Sequence, residues 1–393
     1  MVTPLDGADL ILLAAAHPVL SPKRQAQLTA LLAGTVDWPA LMEHAQRHGV
    51  APILHGHLRA MPTVPVPRGV TDTLGALARA CVSSNLRLRH ELGRLLAGFT
   101  RAGIAVMPLK GPVLADQLYL TPSLRPSSDL DVLVRAPDAA EAEATLEALG
   151  YARRPDAEQG ADYHTIFTAR GVDVELHRDL GERHASRLDV ETVWSSATAT
   201  SWQGHSIWCM SLSDQLVYLA FHAAKDGLAS LKALVDIALL VDRHRDVLPW
   251  TALVVRIKDA HLAPVVYLAL SETRALLGAP VPDDFLDAIR PRHAGWSLAQ
   301  RLFRWRGGVL HVADELLVGP FMAALMFLWE DTARARLRHV KRNLLPSERL
   351  RGRWTSSLAP VPWVVWFPMW GAHAVRYLIR QLAVRHSRQT ARS

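Results

Sequence analysis

The sequence predicts an α+β protein, a small mixed sheet flanked by N- and C-terminal helical regions. Three observations predict it. Apolar residues recur at helical spacing through the first hundred residues, strand alternation with Gly and Pro punctuation begins at Gly103, and helical spacing returns from Ser211. A chain of 393 residues suffices for two or three domains. We read an N-terminal helical region (1–101), an α/β core (102–210), a C-terminal helical domain (211–342) and a basic Trp- and Pro-rich tail (343–393).

Each element has a local reason. Asp37 is a good N-cap, and Pro39 sits at an early helical position of Trp38–Ala45. Residues 61–69 hold three prolines and read as an extended linker. From about Asp72 to Arg101, Leu74, Leu77, Cys81, Leu88, Leu92 and Leu95 give helical spacing. Ile104–Leu109 then reads as a short buried strand, broken by Gly111-Pro112, which open a helix to about Tyr119. Leu130–Val134 is a second strand, and Asp138 is expected to cap a helix that stops at Gly150. Tyr163–Ala169 and Val172–His177 form a hairpin about Arg170-Gly171. Ser213 is expected to cap Asp214–Lys225, with Leu231–Arg243 as the next helix and more helices to about Arg342.

Charge is unevenly placed. Residues 331–393 hold 13 Lys/Arg against 2 Asp/Glu, a net +11 within a chain of net +7, so the first 330 residues carry −4. A basic tail suits RNA or anionic lipid, although a solvated helix face is the blander reading. Thr355–Val375 lacks Asp, Glu, Lys and Arg, but its three prolines and Gly371 argue against a transmembrane helix. A helix near Asp331–Arg342 packed on the body is expected, with Trp354, Trp363, Trp366 and Trp370 resting partly on protein. Cys81 and Cys209 cannot build a disulfide framework or a thiolate zinc site and fit a reducing compartment. The opening Met1-Val2-Thr3-Pro4 has no basic n-region, so no signal peptide is expected, and the location is read as cytoplasmic with peripheral membrane contact as an option.

The chemistry centres on Leu109-Lys110-Gly111 and, eighteen residues on, Asp129-Leu130-Asp131. Alternate residues of a strand share a face, so Asp129 and Asp131 point together, opposite Leu130, Val132 and Val134. Paired carboxylates beside a phosphate-sized turn hold divalent metal against a triphosphate. A lone DxD is weak, since it arises by chance as two solvated acids. Ser127 and Ser128 suit phosphate, and Arg125 stands upstream as a counter-charge. Downstream, Asp173, Glu175 and His177 share one face of Val172–His177. That strand offers a third carboxylate, able to ligate metal and take the proton of an attacking hydroxyl.

Together, Leu109-Lys110-Gly111, Arg125-Pro-Ser-Ser-Asp-Leu-Asp-Val-Leu-Val134 and Glu175-Leu-His177 resemble the bacterial uncharacterised nucleotidyltransferase family of the DNA polymerase β-like superfamily. The resemblance covers roughly residues 35–245. It implies a polymerase β-like core, with Asp129 and Asp131 as the metal-binding pair, Lys110 and Gly111 as the phosphate-facing turn, and Glu175 as the third carboxylate. Glu175 stands where the family often has Asp, and Asp173 is its rival. The expected cofactor is Mg2+, or Mn2+, with an NTP, ATP first, as donor. The expected acceptor is a hydroxyl of a small molecule, peptide or protein. Arg125, Ser127, Ser128 and Lys225 complete the nucleotide contacts. Lys225 shares a helix face with His222, for which a His222–Asp236 hydrogen bond between helices is the structural reading. Asp131→Asn is expected to abolish transfer with an unchanged or raised melting temperature, because clustered acids repel until metal arrives. His44 and His48, at i,i+4, and the nearby His55 and His57 give only a weak zinc reading, since 18 His produce such spacings by chance. The alternative function is a catalytically silent nucleotide-binding or scaffold protein that docks RNA, a membrane or a partner through its tail.

Overall fold

Among the described residues, five helices precede the sheet: α1 (Gly7–Ala15), α2 (Pro22–Leu32), α3 (Trp38–Arg47), α4 (Ala51–Arg59) and α5 (Arg68–Arg101). The computed structural model describes residues 5–154, 163–181, 188–312 and 320–330, with residues 332, 336 and 337. Asp37 caps α3 by accepting from the Ala40 amide at 3.1 Å. The long helix α5 starts at Arg68, before the apolar periodicity begins, because Pro67 sets an extended N-cap immediately before it.

The core follows as β1 (Val106–Pro108), α6 (Gly111–Leu118), β2 (Asp129–Val134), α7 (Ala139–Ala148), β3 (Ala152–Arg153), β4 (His164–Ala169) and β5 (Val172–His177). The strands form one sheet in the order β1-β2-β5-β4-β3, in which β2 and β5 run parallel and the other neighbours antiparallel. The β4–β5 hairpin turns on Arg170 (φ 52°) and Gly171 (φ 69°), the paired positive φ of a type I′ turn. Arg170 reaches back to α5, where Glu91 accepts from its guanidinium at 2.9 Å and from the Tyr151 hydroxyl at 2.7 Å.

Strand alternation divides the two faces of β2. Leu130, Val132 and Val134 pack with Leu92, Leu96 and Phe99 of α5 and Leu146 of α7. Leu133 joins the larger helical core on the other face, where Asp129 and Asp131 also point. That second face shares its core with helices after the sheet, α8 (Val190–Ser196), α9 (Leu212–Lys225) and α10 (Leu231–His244), whereas Trp202 and Ile207 of the intervening hairpin, β6 (Thr198–Trp202) and β7 (His205–Cys209), join the α5 side. Further on lie α11 (Trp250–Asp259), α12 (Ala263–Leu277), α13 (Asp283–Ile289), α14 (Ala294–Trp305) and α15 (Pro320–Trp329).

Several local expectations change. The cap of α9 is Ser211, whose hydroxyl accepts from Asp214, because the helix starts two residues earlier than the apolar pattern. Asp138 makes no side-chain cap, since a short 3-10 turn over Ala136–Asp138 leads directly into α7. The first strand is shorter than Ile104–Leu109, although the Leu109 amide still bonds Asp131 O at 2.9 Å. The α8 helix and the β6–β7 hairpin were not legible. Most of the expected Asp331–Arg342 helix and all the tail tryptophans lie outside the described residues. Among the described residues no helix is long and apolar enough to cross a membrane.

One buried ion pair aims the segment before β2. Arg125, 3% exposed, gives Nε and Nη2 to Asp236 of α10 at 2.9 and 2.8 Å, and the Tyr119 hydroxyl donates to the same carboxylate at 2.8 Å. Asn85 of α5 donates to Arg125 O at 2.9 Å. Removing one partner of such a pair leaves an uncompensated buried charge. Asp236→Ala is therefore expected to cost about 3–5 kcal/mol, read as a lower urea midpoint at unchanged slope; a loss below about 1 kcal/mol would show that the pair does not hold this segment.

Candidate active site

The parallel pairing of β2 and β5 sets the site. Its register places Asp131 opposite Glu175 and Asp129 opposite Asp173. Asp131 is almost fully buried, and His177 Nε2 lies 3.1 Å from Asp131 Oδ1 and 3.4 Å from Glu175 Oε2. Asp131, Glu175 and His177 offer three ligand atoms within 4.8 Å of one another. Asp173 turns outward instead, pairing with Arg154 at 2.9 Å, so Glu175 rather than its rival converges on the DxD strand.

On the other side of Asp131 lies a cation. Lys110 Nζ is 3.2 Å from Asp131 Oδ2 and 2.7 Å from His222 Nε2. An ammonium only donates, so His222 Nε2 accepts and its Nδ1 faces Asp226 at 3.0 Å as the donor. The sequence makes this possible at Gly111, whose φ of 64° lets the backbone turn straight from Lys110 into α6. A Cβ at Gly111 would also come within 3.6 Å of Asp129 O.

These groups line a cleft between the head of β2, the start of α6 and the α9–α10 connection. Its cavity volume is about 260 Å³, close to the lower end of small-ligand sites. Lys110, Arg125 and Lys232 supply positive charge to its walls, and Asp129, Asp131 and Asp226 supply negative charge. Ser127, Ser128 and Gly111 also line it.

The expected nucleotide contacts divide. Lys110, Gly111, Ser127 and Ser128 meet in the cleft. Arg125 reaches its wall, but the guanidinium is engaged by Asp236 and by the Ser127 hydroxyl at 2.9 Å. Lys225 is not a wall residue: its Nζ sits 3.3 Å from the Tyr163 hydroxyl, on the Glu175 side. The His222–Asp236 bond between helices does not form, because His222 pairs with Lys110 and Asp226 while Asp236 takes Arg125 and Tyr119. Lys232 was missed. It lies one helical turn before Asp236 on α10 and donates to Pro126 O at 3.2 Å. The Lys-x-x-x-Asp spacing of residues 232–236 was the available signal.

Two neighbouring acids of the DxD pair respond oppositely to the fold. Burial and then the Asp131 charge push the Asp129 carboxyl up. Burial also raises Asp131, but Lys110 and the His177 hydrogen bond outweigh it and hold that carboxyl well below its usual range.

The family described as uncharacterised nucleotidyltransferase matches residues 34–278. The chain belongs to this family. No curated protein matches it. Among solved structures it is similar to ANT(2'')-Ia in complex with adenylyl-2''-tobramycin, at 14% identity over 47% of this chain and 97% of that one, with a TM-score of 0.31. The solution structure of the antibiotic-resistance factor ANT(2'')-Ia matches at 13% identity over 48% and 88%, with a TM-score of 0.28. The mixed sheet between helical regions is the α+β arrangement that the sequence predicts.

The split between the two acids corrects the stability expectation for this nucleotidyltransferase. Repulsion acts on Asp129, whereas Asp131 is held by cationic and hydrogen-bonding partners. Without metal, Asp131→Asn is expected to cost about 1.5–3 kcal/mol, and Asp129→Asn to leave the melting temperature unchanged or higher. Calorimetry of both variants in chelator checks the order; a reversed order would remove the partner assignment of Asp131.

Proposed function

We propose that the protein moves an NMP from an NTP, with ATP as the first donor to test, to a hydroxyl of a small-molecule, peptide or protein acceptor and releases pyrophosphate. The supporting observation is the meeting of Asp131 and Glu175 across the parallel pair, beside a cleft that also holds Asp129, Lys110 and Lys232. The donor set fits a hard divalent cation. Asp129 and Asp131 point to one side of β2, Asp131 and Glu175 offer oxygens within 4.8 Å, and burial and then the Asp131 charge push the Asp129 carboxyl up. Asp129, Asp131 and Glu175 would hold Mg2+ or Mn2+. When bound, such ions neutralise charge on the phosphates and on the oxygens gained and lost.

The chain's own residues supply the rest. Lys110 and Lys232 face the space where a triphosphate's charge would lie, next to the N-terminus of α6. The His177 hydrogen bond lowers the Glu175 carboxyl, so it is ionised and able to accept a proton. In the proposed step the acceptor oxygen forms a bond to Pα and its proton passes to Glu175. The Pα–O bond to the β-phosphate breaks, and its electron pair leaves with pyrophosphate. His177 holds the two carboxylates that it bridges.

Incubation with α-phosphate-labelled NTPs, Mg2+ and a bacterial lysate tests the reading. Label is expected to appear on an acceptor and to fall at least about 10^3-fold in Asp131→Asn, as for a loss of about 4 kcal/mol of transition-state stabilisation. Equal labelling by that variant would overturn the assignment. Lys232→Ala is expected to raise KM for the NTP about tenfold while lowering kcat less, as for a phosphate contact made before and during transfer. A fall in kcat at constant KM would place Lys232 outside the nucleotide site.

A further inference from the structure

A second cluster of ligating side chains lies outside the cleft. Asp9 of α1, His44 of α3 and His311 beyond α14 bring one ligand atom each within 4.8 Å of the others. Sequence spacing does not bring this set together, because Asp9 and His311 are 302 residues apart. The i,i+4 pair His44 and His48 is not the donor set: His48 turns Nε2 to Leu310 O at 3.1 Å, away from the cluster.

The geometry asks for a further occupant. The Asp9 side chain is fully buried and fixed by a capping box, donating its amide to Asp6 Oδ1 at 2.9 Å and accepting the Asp6 amide on Oδ2 at 3.0 Å. Its Oδ2 also accepts a hydrogen bond from His311 Nε2 at 2.7 Å, the contact that a bound ion would replace. Its Oδ1 and His44 Nδ1 are 3.2 Å apart, yet neither buried atom makes a hydrogen bond. Two buried polar atoms at contact distance without hydrogen-bond alignment are poorly satisfied by each other. The separation is close to the edge of a tetrahedron with bonds of about 2.0–2.1 Å, which is about 3.3 Å.

We propose that Asp9, His44 and His311 bind one Zn2+ ion, independently of nucleotide transfer. Two imidazoles and one carboxylate suit a borderline metal better than Mg2+ or Ca2+, which prefer all-oxygen sites. Side-chain exposures of 17% for His44 and 23% for His311 leave an entry path and room for a water as fourth ligand. The donors are already held in place. Arg47 donates to Val312 O, and Arg306 to Gly227 O, on either side of His311. Gly227 follows Asp226, a wall residue of the cleft. The ion would therefore staple the turn after α14 to α1 and α3 and brace the α9–α10 connection from behind.

The test uses the tag-free full chain carrying Asp131→Asn, which weakens the other cluster of ligating groups. After dialysis against chelator, ZnCl2 is expected to raise the melting temperature. Elemental analysis is expected to give about one zinc per chain, and Co2+ the intense visible absorption of a tetrahedral site. His44→Gln and His311→Gln are each expected to lose the bound zinc and the thermal shift while keeping the parent circular dichroism. Zinc occupancy in the variants equal to the parent's would overturn the proposal. So would a parent chain with no zinc and no thermal response, a measurement that needs no variant to fold.

Discussion

The site depends on the parallel pairing of β2 with β5. Residues opposite each other in this pair share a face, so Asp131 meets Glu175 only in this register. A slip of one residue would bring Val174 or Leu176 opposite Asp131 and move every acid of one strand away from the other. Apolar packing enforces the register from behind: Val132 of β2 and Val174 of β5 enter the same core, against α5 and α7. The chemistry on one face is thus fixed by hydrophobic contacts on the other, about 25 cal/mol for each Å² buried.

The helices then sort the charge. Arg125 crosses behind the head of β2 to Asp236, and this pair lets the loop carry two serines into the cleft while keeping its own charges neutralised. Lys110 is fixed between Asp131 and His222, and His222 passes that contact on to Asp226. Cations and acids therefore alternate in space, which keeps a buried, highly charged wall affordable without bound ligand. Lys232 differs. Burial, and then the Arg125 charge, lower its ammonium, so an incoming polyanion would relieve a cost that the free protein carries.

Much of the fold was legible because it rests on local chemistry. The DxD strand, the Gly111-Pro112 helix start and the Arg170-Gly171 turn each follow from residues adjacent in sequence. The β6–β7 turn uses Gln203 and Gly204 with φ of 51° and 81°, the same type I′ geometry, but Gln at such a position is a weak turn signal. Glu175 and Asp173 were indistinguishable in sequence because they share a face. Only the tertiary partner Arg154, which takes Asp173 outward, separates them. His222 and Lys232 were hard to assign for a related reason. Their partners Lys110 and Pro126 lie more than a hundred residues away in sequence, on segments whose packing no local pattern encodes.

The opposite behaviour of Asp129 and Asp131 bears on how the candidate site would be prepared for the ligands proposed above. Asp131 has a cation and an imidazole beside it, so its ionised form is stable in the empty protein. Asp129 has the Asp131 charge as its nearest strong influence after burial, so its ionised form is costly until a cation arrives. Attraction for metal would then centre on Asp129, while Asp131 and Glu175 stay ordered by His177. Such an arrangement divides positioning from attraction: if all three acids were locally neutralised the site would be rigid but weakly attractive, and if none were it would repel itself. The DxD motif names two chemically equal residues. The fold makes them unequal, and it does so through Lys110 and His177, which both contact Asp131 directly.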